Sequence, residues 1–179
     1  MPLSILALLL TVAEPNHLHA FVGGGYLTTP GGQGAAVVGG MRYSIGRHFA
    51  VSLAASYGSL NSIQDRWWVM PTIAWVIPAG AFRFDFGAGV GSSTATAFAS
   101  WSDYSRDQPM WVNEAVPSFR LNAIVAAPIS PGFELFARAD ATMQLLEQTS
   151  LGWRRGEAPT RNTGTMFLNL SVGCQFRLF

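Results

Sequence analysis

The chain has 179 residues, with 11 arginines, no lysine and 10 acidic residues. That balance excludes the basic face or stripe of a nucleic-acid binder. Charged residues are only 12% of the chain and the mean hydropathy is +0.25, yet no window after residue 20 offers the roughly twenty unbroken apolar residues of a membrane helix. Two classes survive: a soluble protein with a large buried core, or a transmembrane β-barrel. The length suits one domain, and the single Cys174 cannot form an internal disulfide.

Residues 4–13 read S-I-L-A-L-L-L-T-V-A and are followed by E-P-N-H-L-H-A. This run is too short to span as a helix but matches the hydrophobic stretch of a secretory signal. Ala20 supplies a small residue before a cleavage point and Phe21 a first mature residue. Residues 1–20 are therefore expected to be a signal peptide, and 21–179 the folded domain. No Arg or Lys precedes the run, and Leu18 is large for its place in a cleavage motif. The alternative is an ordinary buried segment ending at Pro15.

From Phe21 onward, alternating segments are punctuated by turn residues. The expected strands are 20–28, 34–44, 48–59, 66–77, 81–97, 117–129, 132–146 and 164–178. S-I-G-R at 44–47, I-P-A-G at 77–80 and I-S-P-G at 129–132 are tight reversals. The other connections are longer, above all 98–116 and 147–163. Short turns at one end and long connections at the other are the asymmetry of small outer-membrane barrels. Pro71 falls inside W-W-V-M-P-T-I-A-W-V and would remove a ladder donor, so a bulge or a shorter strand is expected there.

Alternation is clearest in 132–146. Phe133, Leu135, Ala137, Ala139, Ala141, Met143 and Leu145 share one face, and Glu134, Phe136, Arg138, Asp140, Thr142 and Gln144 the other. Phe119, Leu121, Ala123, Val125 and Ala127 likewise oppose Ser118, Arg120 and Asn122. Phe82, Phe84, Phe86, Ala88 and Val90 oppose Arg83, Asp85 and three glycines. Alternation alone does not distinguish inside from outside. A lipocalin-like soluble barrel would turn the apolar face inward, whereas a membrane barrel turns it toward lipid.

The Gly-, Ser- and Thr-rich polar face, the strand lengths and the placement of aromatics favour the membrane. Tyr43, Phe49, Trp75, Phe82, Phe133 and Phe176 would form one girdle. Tyr26, Tyr57, Trp67, Phe98 and Phe119 would form the other.

The last residues, N-L-S-V-G-C-Q-F-R-L-F, carry Ser171, Gly173, Phe176, Leu178 and a terminal Phe179. Their spacing resembles the terminal assembly signal of bacterial outer-membrane β-barrel proteins, which the barrel-insertion machinery recognises. The region from about residue 21 to 179 is similar as architecture to the small eight-stranded barrels of the OmpA-like, OmpX-like or OmpW-like kind. The resemblance implies an all-β, eight-stranded antiparallel up-and-down transmembrane barrel in the bacterial outer membrane. It also implies a monomer with both mature termini in the periplasm and lipids and lipopolysaccharide as surroundings.

Catalysis is not expected. Barrels similar to the lipid A deacylase pair a histidine with a serine two residues away. Here His17 and His19 precede the expected cleavage point, while His48 has no such serine and adjoins a tight turn. Asp103 and Asp107 lack a metal-ligand pattern, and the glycine clusters lack a phosphate-loop continuation, so no metal or cofactor is expected.

The inward face instead gathers Arg42, Arg83, Arg120, Arg138 and Arg177 with Asp85, Glu134 and Asp140. An eight-stranded barrel is about filled by its side chains, so these should pair and fix the lumen. A narrow conduit for small or hydrophobic molecules is the alternative. In the long connections, Trp101, Tyr104, Trp111, Trp153, Arg154, Arg155 and Arg161 form either a surface for lipopolysaccharide phosphates or a set of headgroup anchors.

Overall fold

The structure, a computed structural model, describes residues 16–29, 32–60, 64–99, 110–145, 148–149, 161–162 and 166–179. Eight long strands close a barrel: β1 (Leu18–Thr29), β2 (Gly32–Ile45), β3 (Phe49–Leu60), β4 (Gln64–Ala79), β5 (Phe82–Ala99), β6 (Met110–Ser130), β7 (Phe133–Gln144) and β10 (Met166–Arg177). Each pairs antiparallel with its chain neighbour in the meander. β1 closes on β10 from His19↔Arg177 to Thr28↔Leu168. Two short strands, β8 (Gln148–Thr149) and β9 (Arg161–Asn162), pair only with each other. Closure leaves no strand edge, the condition for backbone to cross a bilayer without unpaired groups.

All three tight reversals lie at one end, and glycine makes each possible. Gly46, Gly80 and Gly132 adopt φ of 60°, 63° and 86°, a region costly for residues with a Cβ. The described chain ends meet there too. The Leu18 N–H donates to the Phe179 carbonyl at 3.0 Å, and the Leu178 N–H to that of Leu18 at 2.7 Å. Leu18, His19 and Ala20 are integral to β1, since His19 pairs with Arg42 on one side and Arg177 on the other. The first strand thus starts two residues ahead of the expected 20–28.

One strand boundary differs from expectation by more than two residues, for an identifiable reason. β6 starts at Met110, and its ladder with β5 runs unbroken through Ser92↔Pro117 to Ala99↔Met110. Pro117 does not start the strand because its missing donor falls where β6 parts from β7. Its carbonyl accepts from Leu145 at 2.9 Å, one residue past the last ladder pair, Ser118↔Gln144.

Pro71 needs no bulge. It pairs with Leu53 in an intact β3–β4 ladder, while the β4–β5 ladder lapses between Val69↔Ser92 and Thr72↔Gly89 and resumes in the same register. The cost is a short gap in one ladder. The register shift in the barrel lies instead between Pro128 and Ser130.

The apolar face points outward. Val22, Leu53, Ile73, Phe86, Leu121, Leu170 and Val172 are each more than half exposed, and Ile73 and Val172 reach 67%. This contradicts the lipocalin-like alternative, which needs that face inside. An apolar surface running right round the barrel far exceeds the patches that soluble monomers leave in water. Aromatics mark its borders. At the tight-turn end Phe49 stands against Trp75 at a ring separation of 5.5 Å, and Phe133 against Phe176 at 5.1 Å. At the other end Tyr57 is paired in register with Trp67, and both are exposed. No helix among the described residues is long and apolar enough to cross a membrane.

Candidate functional site

Period-two alternation turns the polar set inward, where Arg42, Asp85, Arg120, Arg138 and Asp140 are buried. Two ion-pair clusters result. Toward the tight-turn end, Asp85 accepts from Arg42 Nε and Arg83 Nε, both at 3.0 Å. Arg83 Nη1 also donates to Glu134 at 2.5 Å, and Gln175 Nε2 donates to the same carboxylate oxygen at 2.5 Å. Arg42 Nη1 additionally donates to Ser44 Oγ at 2.6 Å. Arg83 thus bridges two carboxylates from two strands.

Deeper in the lumen, Arg138 Nε contacts both oxygens of Asp140 at 3.0 and 2.9 Å. Arg120 Nε lies 3.8 Å from the same carboxylate, and its Nη2 donates to Thr72 Oγ1. Such buried pairs add little net stability over an apolar core but strongly penalise the loss of one partner.

Seven of the eight expected lumen charges meet in this way. Arg177 does not. It is exposed at the tight-turn rim, because it ends β10 two residues past the last buried inward side chain, Gln175. Parity directs it toward the axis, where it borders the open tight-turn mouth rather than the packed lumen.

An apolar plug within the lumen was not anticipated. Phe21, Trp68, Met70, Phe136 and Phe167 are buried together with Leu27 and Val38. The Arg120 guanidinium stacks 4.3 Å from the Trp68 ring centre, and Arg138 lies 5.4 Å from that of Phe21, so the cations are held on ring faces as well as by carboxylates. Glycines make room for these rings. Gly23, Gly173 and Phe136 are consecutive cross-strand partners, and a Cβ on Gly173 would come within 2.7 Å of the Phe136 ring. Above the plug, Ser93 and Ser118 hydroxyls bond at 2.6 Å and Gln144 donates to Ser93 at 3.4 Å. Asn169 donates to Ser56 at 3.1 Å.

The available signal for the plug was parity: Trp68, Met70 and Thr72 share a face, as do Phe136 and Arg138. The W-W pair therefore splits, with Trp67 at the outer border and Trp68 inside. Below the plug, a cavity of about 20 Å³ borders Asp85, Asn122, Arg138 and Gln175, room for about one water molecule.

The tight-turn mouth is different. It is an open vestibule of about 530 Å³ bounded by His17, His19, Arg42, Arg47, Arg83, Glu134 and Arg177, with Pro78, Pro128 and Pro131 in its walls. His48 points away, its Nδ1 3.3 Å from the Val76 carbonyl oxygen. No group of His, Cys, Asp and Glu able to hold a metal occurs among the described residues.

Of the assembly-signal residues, Ser171 faces the lumen and Gly173 lies under the Phe136 ring. Phe176, Leu178 and Phe179 are exposed at the tight-turn end. Of the loop-surface residues, Trp101, Tyr104, Trp153, Arg154 and Arg155 lie outside the described residues. Trp111 and Arg161 are placed only by their backbones, opposite Phe98 and Thr149.

Comparison with solved structures gives the same architecture. Neisserial surface protein A superposes with a TM-score of 0.63 at 11% identity, covering 93% of this chain and 99% of that one. A major outer membrane protein from Thermus thermophilus gives 0.62 at 12% identity, covering 92% and 100%. The N-terminal β-barrel domain of Pseudomonas aeruginosa OprF gives 0.55 at 15%, covering 89% and 98%. No protein-family model matches the chain. No curated protein matches it either. At these identities the likeness is one of fold: the chain has the closed eight-stranded architecture of small bacterial outer-membrane barrels.

Proposed function

We propose that the chain is an integral outer-membrane barrel with a structural or surface-interaction role and no catalytic one. Its tight-turn end faces the periplasm and its long connections face outward. The observation that carries this reading is the inversion of polarity, an apolar exterior around a closed barrel whose ion pairs lie inside. In water that arrangement would expose an apolar belt and bury charge. In a bilayer the same arrangement satisfies both.

The plug of Phe21, Trp68 and Phe136 opposes a continuous conduit, so the lumen serves to brace the wall. Interaction then falls to the outer connections and the strand ends that lead into them, where Trp101, Tyr104, Trp153, Arg154 and Arg155, with Trp111 of β6 and Arg161 of β9, suit lipopolysaccharide phosphates and headgroups. The motif of Ser171, Gly173, Phe176, Leu178 and Phe179 suits recognition by the insertion machinery.

Expression in a Gram-negative host, membrane fractionation and gels of boiled and unboiled detergent samples test the placement. A boiling-dependent mobility shift in the outer-membrane fraction is the expected result. A monodisperse protein in detergent-free buffer would overturn it. In planar bilayers the folded barrel should show no discrete conductance steps, and regular steps would replace the bracing role with a conduit.

A further inference from the structure

The vestibule at the tight-turn end has a charge imbalance that the bracing of the barrel does not require. Among the described side chains, four arginines border it, Arg42, Arg47, Arg83 and Arg177, against one carboxylate, Glu134. Counting Asp85 beneath the floor still leaves four against two. Asp85 and Glu134 already engage Arg42 and Arg83. Arg47 and Arg177 have no acidic partner among the described residues, yet they come from different elements, the β2–β3 turn and the end of β10, to face one space. Two buried nitrogens add to the set, a guanidinium donor and an imidazole nitrogen that donates in one tautomer. Arg83 Nη2 and His19 Nδ1 have no hydrogen-bond partner among the described residues, and His19 is only 6% exposed on the vestibule wall.

From this convergence we infer that the vestibule is a binding site for a small molecule bearing a phosphate group. Guanidinium forks match the geometry of phosphate oxygens, and several of them neutralise a charge near two better than one carboxylate does. The space, about 530 Å³, is within the usual range of small-molecule pockets, roughly 300–1,000 Å³. It holds more than a bare phosphate. Pro78, Pro128 and Pro131 offer rigid apolar walls to whatever body carries the group. Phe21 and Phe136 close the space below, so the site binds rather than passes its ligand.

The phosphate could come from a soluble metabolite or from a lipid headgroup, and the choice of probes separates these. The refolded full chain in neutral-detergent micelles is titrated calorimetrically at matched ionic strength with pyrophosphate, glycerol 3-phosphate and dihexanoyl phosphatidic acid, with chloride as the control. Saturable binding of the two soluble probes assigns a free phosphate compound. Binding of the acylated probe alone assigns a headgroup. Either result supports the site. The Arg47→Ala/Arg177→Ala variant removes two exposed, unpaired side chains and should keep the wild-type heat-dependent mobility shift while binding at least tenfold more weakly. No saturable binding by any probe beyond chloride, or wild-type affinity in the double variant, would overturn the inference. Conductance plays no part in this readout, so failure here is distinct from failure of the bracing role.

Discussion

Asp85 is the sharpest test of the lumen network. It is 1% exposed and is the carboxylate that Arg42 and Arg83 share at 3.0 Å each. Asp85→Asn keeps the shape and removes the charge. Arg83 keeps Glu134, but Arg42 is left with only the Ser44 hydroxyl as a strong partner. Breaking a buried pair by removing one partner costs about 3–5 kcal/mol, between two and nearly four powers of ten in the folding equilibrium at about 1.36 kcal/mol per decade.

With a urea slope of about 2 kcal/mol per molar, the unfolding midpoint should fall by roughly 1.5–2.5 M. The assay is urea unfolding in detergent micelles, followed by the fluorescence of the tryptophans, Trp68 among them, and by the unboiled gel band. Asp85→Asn/Arg42→Gln removes the stranded cation together with its partner and should recover more than half of the loss. A single variant within about 1 kcal/mol of wild type would mean that vestibule water already screens the pair as at a surface, and that the network does not brace the wall.

Three further outcomes follow from the same geometry. Val172→Arg places a charge on the lipid face, midway along β10, and should destabilise the barrel by about 2–4 kcal/mol in vesicles, whereas exposed Arg47→Ala should change stability by under about 0.5 kcal/mol; equal effects would contradict the bilayer placement. Trp68→Ala removes the largest plug side chain and the ring under Arg120; a loss of about 3–5 kcal/mol is expected, and a plug that seals the lumen also predicts conductance steps absent from wild type. The intact mass of protein purified from outer membranes should include Leu18, His19 and Ala20, since His19 and Ala20 pair on both sides and Leu18 pairs with Tyr43 and bonds to Leu178 and Phe179. A chain starting at Phe21 would show that the barrel closes without them.

Period two made most of the architecture legible. The alternation from Phe133 to Leu145 divides β7 into outward and inward sets, and parity carries the same division to β5 and β6. Glycine and proline marked the three tight turns because those positions require special backbone angles. Legibility ended where side-chain type stopped tracking environment. Pro117 looked like a strand start, but whether a proline breaks a ladder depends on which neighbour its nitrogen faces. Arg177 has the parity of a lumen residue, but parity does not say where the lumen ends. The apolar plug was hidden for a related reason. Trp68 and Phe21 sit on the face that holds the charges, and only the packing of four or five strands round one axis brings rings, guanidinium groups and glycines together.

Gly173 shows how one residue can satisfy two demands that experiment can separate. Its spacing from Phe176 and Leu178 resembles an insertion signal, while in the folded barrel it lies between Gly23 and Phe136, under the ring. Gly173→Ala would bring a methyl group within 2.7 Å of that ring and closer still to the Val22 carbonyl, so the ring and the β1 backbone must both give way. Overpacking of this kind costs about 1–3 kcal/mol. The loss should appear on refolding from urea into micelles, where no insertion machinery exists. Adding Phe136→Leu relieves the ring contact but not the carbonyl one, so only part of the loss should return, measured against Phe136→Leu alone to subtract its own cavity. If Gly173→Ala refolds in micelles like wild type yet fails to reach the outer membrane in cells, the glycine serves recognition alone, and the packing of Phe136 over the β1–β10 seam does not require it.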